Sequence, residues 1–448
     1  MIPADLVRDA RRLLDIIKER DFVRIIGHYD ADGISAASVL SLAIKQLDIP
    51  FQTRILTNLS NDDAKIHVEG AGSCVLLADL GSSTLDALDA MTKHPVVTID
   101  HHAPPSGTAT THVLQINAHH YKLDGATEVS ASMLALAVAI AWDERNWGLI
   151  RPALLGAIGD KQLVVPPIGL NKYLIDEAKK KGLIEERTEL FLDPGPMDES
   201  FTYAIDPHFP GIKDGAGASA FLEKVGIAPR TRYSDLNRAD RRKLTSLTML
   251  DMASAGSEPE AIRTAVRRRF VYKPDGAYAD HLSRLIDSCG RSGMGGTGVA
   301  LACGGAHALQ EAESISMQFK RKVHEGTLFL KSNGIEERRN LHHFKWGDPA
   351  VTGILAEITT LYLGRHGKPV FGSAAVDGRI KISSRTTRAL VARGVNLSEV
   401  CKRAADACSG LGGGHNIASG ATIPEPALDR FLEGADRVIG EQLAARKA

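Results

Sequence analysis

The chain has 448 residues, more than one compact domain normally holds, so we expect two or three domains of ordinary size. Apolar residues make up 44% and charged residues 24% of the chain, a balance typical of a globular protein with buried cores. The chain has 54 basic residues (lysine plus arginine) and 54 acidic residues (aspartate plus glutamate). This balance excludes a net charge that would attract the whole protein to nucleic acid or membranes, so any polyanion binding must depend on local patches.

The segment from Met1 to Asp160 alternates short apolar runs with helical patterns, which favours an α/β fold with a parallel sheet covered on both faces. The runs that predict buried strands are Val23–Gly27, Val75–Ala78, Val96–Ile99 and Val113–Ile116. The helical patterns are Asp32–Lys45, Thr84–Met91 and Ser130–Trp142. Between Lys161 and Arg187 the pattern becomes charged and helical, which indicates a linker region.

A middle segment, residues 186–305, is predicted to be irregular, with the turn-forming sequence Asp193-Pro-Gly-Pro196. Its basic clusters are Arg238, Arg241–Lys243 and Arg267–Arg269. We interpret them as solvated helix surface. The functional alternative is contact with a single-stranded backbone, where Phe270 and Tyr272 would stack on bases.

A third part, residues 306–448, is predicted to be a smaller α/β domain. Asp377-Gly378 predicts a tight hairpin between two strands, because both turn positions favour a positive φ. The predicted elements are a helix at Ala308–Glu325, strands at Val370–Ala375 and Arg379–Ser383, helices near Arg385–Val391 and Leu397–Ala407, a glycine loop at Gly410–His415 and a strand at Ile417–Ile423. The predicted domains are therefore 1–185, 186–305 and 306–448.

Carboxylates and histidines follow three of the predicted strands. The strand ends carry His28, Asp30 and Asp32, then Asp79, then Asp100, His101 and His102. We interpret the apolar stretch Ala153–Gly159 as leading to a fourth such end at Asp160. The carboxyl ends of parallel strands meet at one edge of a sheet, so these side chains are expected to converge there. Carboxylate and imidazole donors without thiolate favour Mn²⁺ or Mg²⁺, and two such ions about 3.5–4 Å apart can drive phosphoryl transfer.

In this order, the four segments resemble the four motifs of the DHH phosphoesterases, and the resemblance covers the first 160 to 190 residues. It implies that His28, Asp30 and Asp79 hold one ion, and that Asp32, Asp79, His101 and Asp160 hold the other. It also implies that Asp100 supports the ligands and that His102 contacts the substrate phosphate or the metal site. The implied catalytic set is Asp30, Asp32, Asp79, Asp100, His101, His102 and Asp160.

Glycines without a Cβ allow backbone N–H groups to approach an anion, and His415 directly follows three of them. Arg385 offers a planar fork for bidentate phosphate binding. Residues 306–425 resemble the DHH-associated C-terminal domain. That resemblance implies that Arg385, Gly412, Gly413, Gly414 and His415 hold a phosphate next to the one that is cut.

The stretch Ser288–Gly298 is similar to one in archaeal RecJ-like nucleases, a group that includes partners of the replication complex GINS. The chain also ends soon after the Gly-Gly-Gly-His element, where bacterial RecJ continues into an oligonucleotide-binding barrel. These resemblances imply an exonuclease that releases nucleoside monophosphates from single-stranded DNA or RNA. Two alternatives stay open: a hydrolase of nanoRNA, pAp or cyclic dinucleotides, and a replication scaffold without activity that binds GINS.

The cysteines and the N-terminus indicate a cellular compartment. The five cysteines are odd in number and form no CxxC pair, which argues against a disulfide framework and a thiolate zinc site. The N-terminal residues do not resemble a signal peptide, and the longest apolar run, Met133–Trp142, is about half a membrane span. We therefore expect a cytoplasmic protein with no membrane partner.

Overall fold

Residues 1–60, 74–91, 94–105, 110–332 and 334–445 are described by the structure, a computed structural model. Two compact units form, each from two stretches of chain. Unit 1 comprises Met1–Thr188 and Arg268–Met317, and unit 2 comprises Glu189–Arg267 and Gln318–Ala448. The division into domains 1–185, 186–305 and 306–448 stays a proposal, and the two units cut across its middle segment.

Unit 1 contains a five-stranded sheet with the order β2-β1-β3-β4-β5. The strands are β1 (Val23–His28), β2 (Phe51–Leu56), β3 (Val75–Ala78), β4 (Val96–Asp100) and β5 (Val113–Asn117). Every neighbouring pair is parallel. The α/β prediction is confirmed, and four strands lie where the apolar runs predicted them, whereas the edge strand β2 was not predicted. Because all strands run in one direction, their carboxyl ends share one edge.

Helices alternate with these strands and follow them in the same unit. They are α1 (Ala4–Lys18), α2 (Ala31–Lys45), α3 (Leu85–Met91), α4 (Ala131–Trp142), α5 (Ile150–Gly159) and α6 (Gly169–Lys180), and strand β6 (Ile184–Leu190) comes next. The interpretation of Ala153–Gly159 as leading to a strand end is wrong, because this stretch belongs to α5. A short run that is buried on all sides lacks the periodicity that separates a strand from a helix.

The middle segment is mostly helical, so the prediction of irregular structure is wrong. It contains α7 (Met197–Thr202), α8 (Gly215–Val225), α9 (Arg238–Ser254), α10 (Pro259–Thr264), strand β7 (Val266–Tyr272), α11 (Ala279–Arg291) and α12 (Gly295–Ala302). Strands β6 and β7 form a two-stranded sheet. The Gly-rich stretch from Gly290 therefore lies largely within the two helices α11 and α12.

The basic cluster Arg267–Arg269 lies on strand β7 and not on a solvated helix. The Arg269 side chain is buried, and its guanidinium pairs with Asp280, with Nη2 2.7 Å from Oδ2. Phe270 and Tyr272 are each only 2% exposed, so neither ring is available to stack on a base. The interpretation of this cluster as solvated helix surface is therefore wrong for Arg269, whose buried side chain on β7 binds Asp280 of α11.

Unit 2 is built around a six-stranded sheet with the order β12-β13-β11-β10-β9-β8. From Ala306 onward the chain forms α13 (Ala306–Ser332), β8 (Glu336–Glu337), β9 (His342–Lys345), α14 (Pro349–Tyr362), β10 (Val370–Val376), β11 (Arg379–Arg385), α15 (Arg388–Ala392), α16 (Leu397–Asp406), β12 (Leu411–Gly414), β13 (Ala418–Pro424) and α17 (Leu428–Ala445). The predicted hairpin is confirmed, because β10 and β11 pair antiparallel around Asp377 and Gly378, whose φ values are 47° and 72°.

The glycine stretch before His415 is not a loop. Leu411–Gly414 forms the edge strand β12, which pairs antiparallel with β13. Gly412 could not be replaced without displacement, because a Cβ there would lie 2.3 Å from the carbonyl oxygen of Cys401. None of the described helices combines the length and the apolar character needed to cross a lipid bilayer.

Candidate metal centre

The carboxyl edge of the unit 1 sheet gathers three groups of side chains whose ligand atoms lie within 4.8 Å of one another. One group is His28, Asp30 and Asp79; the second is Asp32, His101 and Asp160; the third is Asp79, Asp100, His101 and His102. Asp79 and His101 each belong to two groups, so they connect all three. The structure thus brings together every residue that the sequence assigned to the metal site.

Asp30 and Asp32 lie at the start of α2, directly after strand β1. The Asp30 side chain caps this helix by accepting a hydrogen bond from the Gly33 backbone N–H at 3.0 Å. Asp32 is 2% exposed and accepts hydrogen bonds from the backbone N–H of Ala131 at 2.7 Å and from Ser132 Oγ at 2.5 Å. The N-terminus of α4 therefore orients the Asp32 carboxylate, as expected for an anion beside exposed helix N–H groups.

Asp79 follows strand β3 and is 3% exposed. Its backbone adopts a left-handed conformation with φ 61°, which Asp tolerates better than most residues. Its Oδ2 lies 3.4 Å from His28 Nδ1, and its Oδ1 lies 3.3 Å from His101 Nε2. The carboxylate therefore lies between the two histidines.

Two buried atoms of this cluster, Asp79 Oδ1 and His28 Nδ1, make no hydrogen bond of good geometry, although His28 Nδ1 lies 3.0 Å from Asp30 Oδ2. Buried polar atoms are normally paired, so such atoms at the meeting point of two groups require an explanation. A divalent cation would satisfy both, because carboxylate oxygens and imidazole nitrogens are donors that Mn²⁺ and Mg²⁺ accept. The residues present therefore fit a metal.

Asp100, at the end of β4, holds the turn that follows it. Its Oδ1 accepts hydrogen bonds from the backbone N–H of His101 at 2.7 Å and from His102 Nδ1 at 2.8 Å, while its Oδ2 accepts one from the Ser82 N–H. Both oxygens are thus occupied by protein donors. The His102 side chain remains 60% exposed. Asp100 positions the two histidines, and His102 faces solvent.

Asp160 follows helix α5 as its C-terminal capping residue. Its side chain is one-third exposed, and its Oδ2 lies 3.8 Å from His101 Nδ1. The same oxygen accepts a hydrogen bond from Gln162 Nε2 at 2.8 Å. A helix end, and not a fourth strand end, therefore delivers this carboxylate to the cluster.

The charges of the cluster strongly influence one another. Burial and the neighbouring Asp30 and Asp32 raise the pKa of Asp79 to about 6, although interactions with His101 and His28 oppose the rise. Burial and the charge of Asp32 raise the pKa of Asp160 to about 7. Raised pKa values of this kind arise when carboxylates lie close to other anions and are poorly solvated. A cluster with this excess of buried negative charge favours binding of a cation.

The pKa values of the two histidines are also raised, which for an imidazole favours the charged form. Burial lowers the pKa of His28, but interactions with the Asp30 and Asp79 carboxylates outweigh it and raise that pKa to about 10. Burial likewise opposes the charge of His101, yet the interaction with Asp79 and the charge of Asp32 raise its pKa to about 11. Protons on these rings therefore offset the carboxylates at neutral pH.

The residues predicted to bind phosphate lie in unit 2. Arg385 ends β11 opposite Ala418 of β13, and Gly414 of β12 pairs with Ser419 on the other side of β13. The Arg385 Nη1 donates to the carbonyl oxygen of Ser384 at 3.0 Å, and its Nε lies 3.9 Å from Glu357 Oε2. The His415 side chain is exposed. Arg385, Gly412, Gly413, Gly414 and His415 thus lie at one end of the same sheet.

Several residues of the site were missed in the sequence. Ser132 could have been suspected, because serines at 130 and 132 precede a helical run, a pattern typical of a helix start. Gln162 carries no motif. Gly125 and Gly290 touch the motif backbone, because a Cβ would lie 1.8 Å from the His101 carbonyl oxygen and 1.7 Å from that of Tyr29, respectively. Only the fold reveals such contacts.

Two family models match separate parts of the chain. The DHH family, N-terminal domain, matches residues 22–158, and the DHHA1 domain matches residues 341–441. The first range contains all but one of the candidate metal ligands, since Asp160 lies just beyond it. The chain is also 26% identical over 449 residues to an uncharacterized protein of Methanocaldococcus jannaschii, covering 98% of this chain and 99% of that protein.

Solved structures share the fold at low identity. An exonuclease RecJ bound to manganese is 17% identical, with a TM-score of 0.61 over 98% of this chain and 95% of that one. CDC45 from Entamoeba histolytica is 13% identical, with a TM-score of 0.66 over 97% of this chain and 99% of that one. The two matched domains show that the chain belongs to the DHH superfamily, and the solved structures show that it has a RecJ-like fold.

Proposed function

We propose that this protein is a metal-dependent phosphodiesterase that acts as an exonuclease on single-stranded DNA or RNA and releases nucleoside monophosphates. The observation that carries the proposal is the position of Asp79, whose carboxylate lies between His28 and His101 and connects the groups of potential ligands. Two divalent cations sharing this carboxylate would explain its buried Oδ1, which lacks a hydrogen-bond partner. Mn²⁺ is the preferred ion and Mg²⁺ the alternative; a related fold, RecJ, was crystallised with manganese.

In this proposal His28, Asp30 and Asp79 hold one cation. The second cation is held by Asp32, Asp79, His101 and Asp160. When bound, such ions lower the pKa of water and neutralise the charge that develops on the phosphoryl oxygens. The protein residues supply fixed geometry: the α4 N-terminus holds Asp32, and the Asp30 side chain is held by the first turn of α2.

His102 is assigned to the substrate. Its Nδ1 is held by Asp100, and this hydrogen bond raises the pKa of His102. A protonated ring with one nitrogen fixed can donate from the other to a phosphate oxygen. Arg385, Gly412, Gly413, Gly414 and His415 are proposed to bind a neighbouring phosphate, the guanidinium by a bidentate pair and β12 by its backbone N–H groups.

Two other functions remain to be tested against this one. A hydrolase of short oligonucleotides, pAp or cyclic dinucleotides would use the same metal residues but would cleave a dinucleotide faster than a longer strand. A replication scaffold would bind partners, such as GINS, without turnover. The CDC45 fold is similar, but at 13% identity this likeness concerns the fold alone. The presence of the candidate metal ligands favours an enzyme over a scaffold, because a scaffold does not require them.

Digestion of single strands tests the proposal directly. With Mn²⁺, single-stranded DNA or RNA labelled at its 5′ or 3′ end should yield nucleoside monophosphates. Asp160→Asn should lower turnover by about 100-fold or more, because it removes a charge at the reacting centre. Asp176→Asn, which alters a carboxylate on the surface of α6, is the matched control and should retain full activity. Full activity of purified, folded Asp160→Asn would refute the assignment, and faster cleavage of a dinucleotide would favour the small-nucleotide hydrolase.

Binding of Mn²⁺ is expected to release protons and to tighten as the pH rises. His28 and His101 have pKa values raised to about 10 and about 11, so both bind a proton at neutral pH that a metal must displace. Between about pH 6 and pH 8, the observed binding constant should increase roughly tenfold per pH unit for each proton released. Calorimetry in buffers with different ionisation enthalpies measures this release. Binding that is independent of pH would show that these histidines are not ligands.

A further inference from the structure

Gln162 closely follows Asp160 in the chain and is only 4% exposed. Its Nε2 is surrounded by acceptors: Asp160 Oδ2 at 2.8 Å, the Gly125 carbonyl oxygen at 2.8 Å and the Val129 carbonyl oxygen at 3.3 Å. A buried amide that touches a candidate metal ligand and two segments of backbone is placed to define their relative positions. The mechanism proposed above does not use it.

The chemistry of this position selects an amide. The two N–H groups of Nε2 are shared among three nearby oxygens, while Oε1 accepts a hydrogen bond from Asn171 Nδ2 at 2.6 Å. Glutamate would place negative charge against the Asp160 carboxylate, and an apolar side chain would leave buried acceptors without a donor. Asn171 is itself buried and is anchored through its backbone N–H to the Glu128 carbonyl oxygen at 2.8 Å. The amide therefore has a fixed support behind it.

The Gly125 carbonyl oxygen connects Gln162 to a second candidate ligand. His101 Nδ1 lies 2.6 Å from this oxygen, so the ring donates from Nδ1. That leaves His101 Nε2 facing Asp79 Oδ1 at 3.3 Å and Asp32 Oδ2 at 3.8 Å. Gly125 must be glycine, because a Cβ would lie 1.8 Å from the His101 carbonyl oxygen. One carbonyl oxygen thus serves both His101 and Gln162.

We propose that Gln162 is a positioning residue that fixes Asp160 and His101 relative to each other, so that one of the two cation positions is formed before the ion arrives. The inference rests on the proposed function and adds a residue that the motifs do not contain. In this proposal the Gln162–Asn171 pair supports the cation position formed by Asp32, His101 and Asp160. It does not support the cation position formed by His28 and Asp30. Partners that orient metal ligands typically contribute about 10- to 100-fold to metal affinity.

The competing explanation is that Gln162 only stabilises the surrounding fold. Thermal stability alone does not separate the two roles, because loss of any buried hydrogen-bonding amide lowers it. Mn²⁺ affinity does separate them. Asn146 provides the matched control: it is a buried amide of unit 1, 3% exposed, whose Nδ2 donates to the Ala139 carbonyl oxygen at 2.7 Å. It touches none of the candidate metal ligands.

Calorimetric titration of the full chain with Mn²⁺ is the test, with Gln162→Met and Asn146→Leu compared with the unaltered protein. We expect Gln162→Met to weaken one of two Mn²⁺ sites by about 10- to 100-fold and to spare the other. Asn146→Leu should lower the unfolding temperature and leave both affinities unchanged. Asn171→Leu, which removes only the support behind the amide, should weaken the same site less and serves if Gln162→Met does not fold.

The outcomes distinguish the two proposals. If folded Gln162→Met and Asn171→Leu both bind Mn²⁺ like the unaltered protein, Gln162 has no positioning role. If Asn146→Leu weakens binding as much as Gln162→Met, the effect is one of general stability and the inference is overturned. If the unaltered protein binds no divalent cation, the proposed function itself fails.

Discussion

Replacing Asp79 with asparagine is expected to reduce nucleolytic turnover by about 1,000-fold or more, the largest effect of any single change at the cluster. The substitution keeps the shape of the side chain but removes the charge that lies between His28 and His101. If Asp79 serves both cations, both sites weaken together, whereas loss of Asp30 or Asp160 weakens one. Turnover of labelled single strands and Mn²⁺ stoichiometry measure the two effects side by side.

The backbone makes asparagine the right replacement. Asp79 has φ 61°, a left-handed conformation that Asn also adopts but that alanine and β-branched residues adopt at a cost. Asp48 is the matched control, because it has φ 58° and lies outside the metal cluster. Asp48→Asn should leave turnover and Mn²⁺ binding unchanged. Two intact Mn²⁺ sites in folded Asp79→Asn would exclude a shared carboxylate.

Replacing Arg269 with methionine is expected to lower the free energy of unfolding by about 3–5 kcal/mol. Arg269 Nε and Nη2 donate to the two oxygens of Asp280 at 3.0 and 2.7 Å, and both residues are at most 3% exposed. The guanidinium carbon also lies 3.9 Å from the centre of the Tyr278 ring. The single change leaves the Asp280 charge buried opposite an apolar side chain, which accounts for the loss. Urea denaturation of the metal-free protein measures it.

The double variant Arg269→Met, Asp280→Leu separates this cause from lost packing. Because it removes both charges, it should recover most of the stability lost in the single variant. Arg284→Met is the control: Arg284 lies 3.5 Å from the same carboxylate but is 33% exposed, so its loss should cost at most about 1 kcal/mol. A double variant as unstable as Arg269→Met would show that loss of the buried partner of the Asp280 carboxylate is not the cause.

The strands that position the site could be predicted because each is short, apolar and bounded by turn-forming residues. Strand β2 (Phe51–Leu56) was missed because it is an edge strand whose Gln52 and Arg54 are exposed, so its apolar content is low. Helix α5 was missed for the opposite reason, since seven of its ten residues are buried and its apolar residues run consecutively, which hides the helical period. Sequence patterns therefore predict half-buried helices and strands best, and they predict largely exposed or largely buried elements worst.

The candidate ligands could be identified from sequence because the motifs are local and each contains its own Asp or His. The residues that hold the ligands could not, since their contacts join distant segments. Ser132 reaches Asp32 across 100 positions, and Gln162 reaches the Gly125 carbonyl oxygen across 37. Such pairs depend on how α2, α4 and α5 pack, and no local pattern records that packing.

The discontinuous composition of unit 1 has a consequence during synthesis of the chain. The candidate metal ligands are all made once Asp160 has been added, yet α11 (Ala279–Arg291), which packs against α2 and α5, is made much later. Its Gly290 contacts the carbonyl oxygen of Tyr29, beside the first motif, and Ser283 Oγ donates to the Leu155 carbonyl oxygen at 2.7 Å. When translation has reached only Thr188, the candidate ligands have therefore been made but the helix that packs behind them has not. The nascent chain can complete the packing around its candidate metal ligands only after the whole first stretch of unit 2 has been translated.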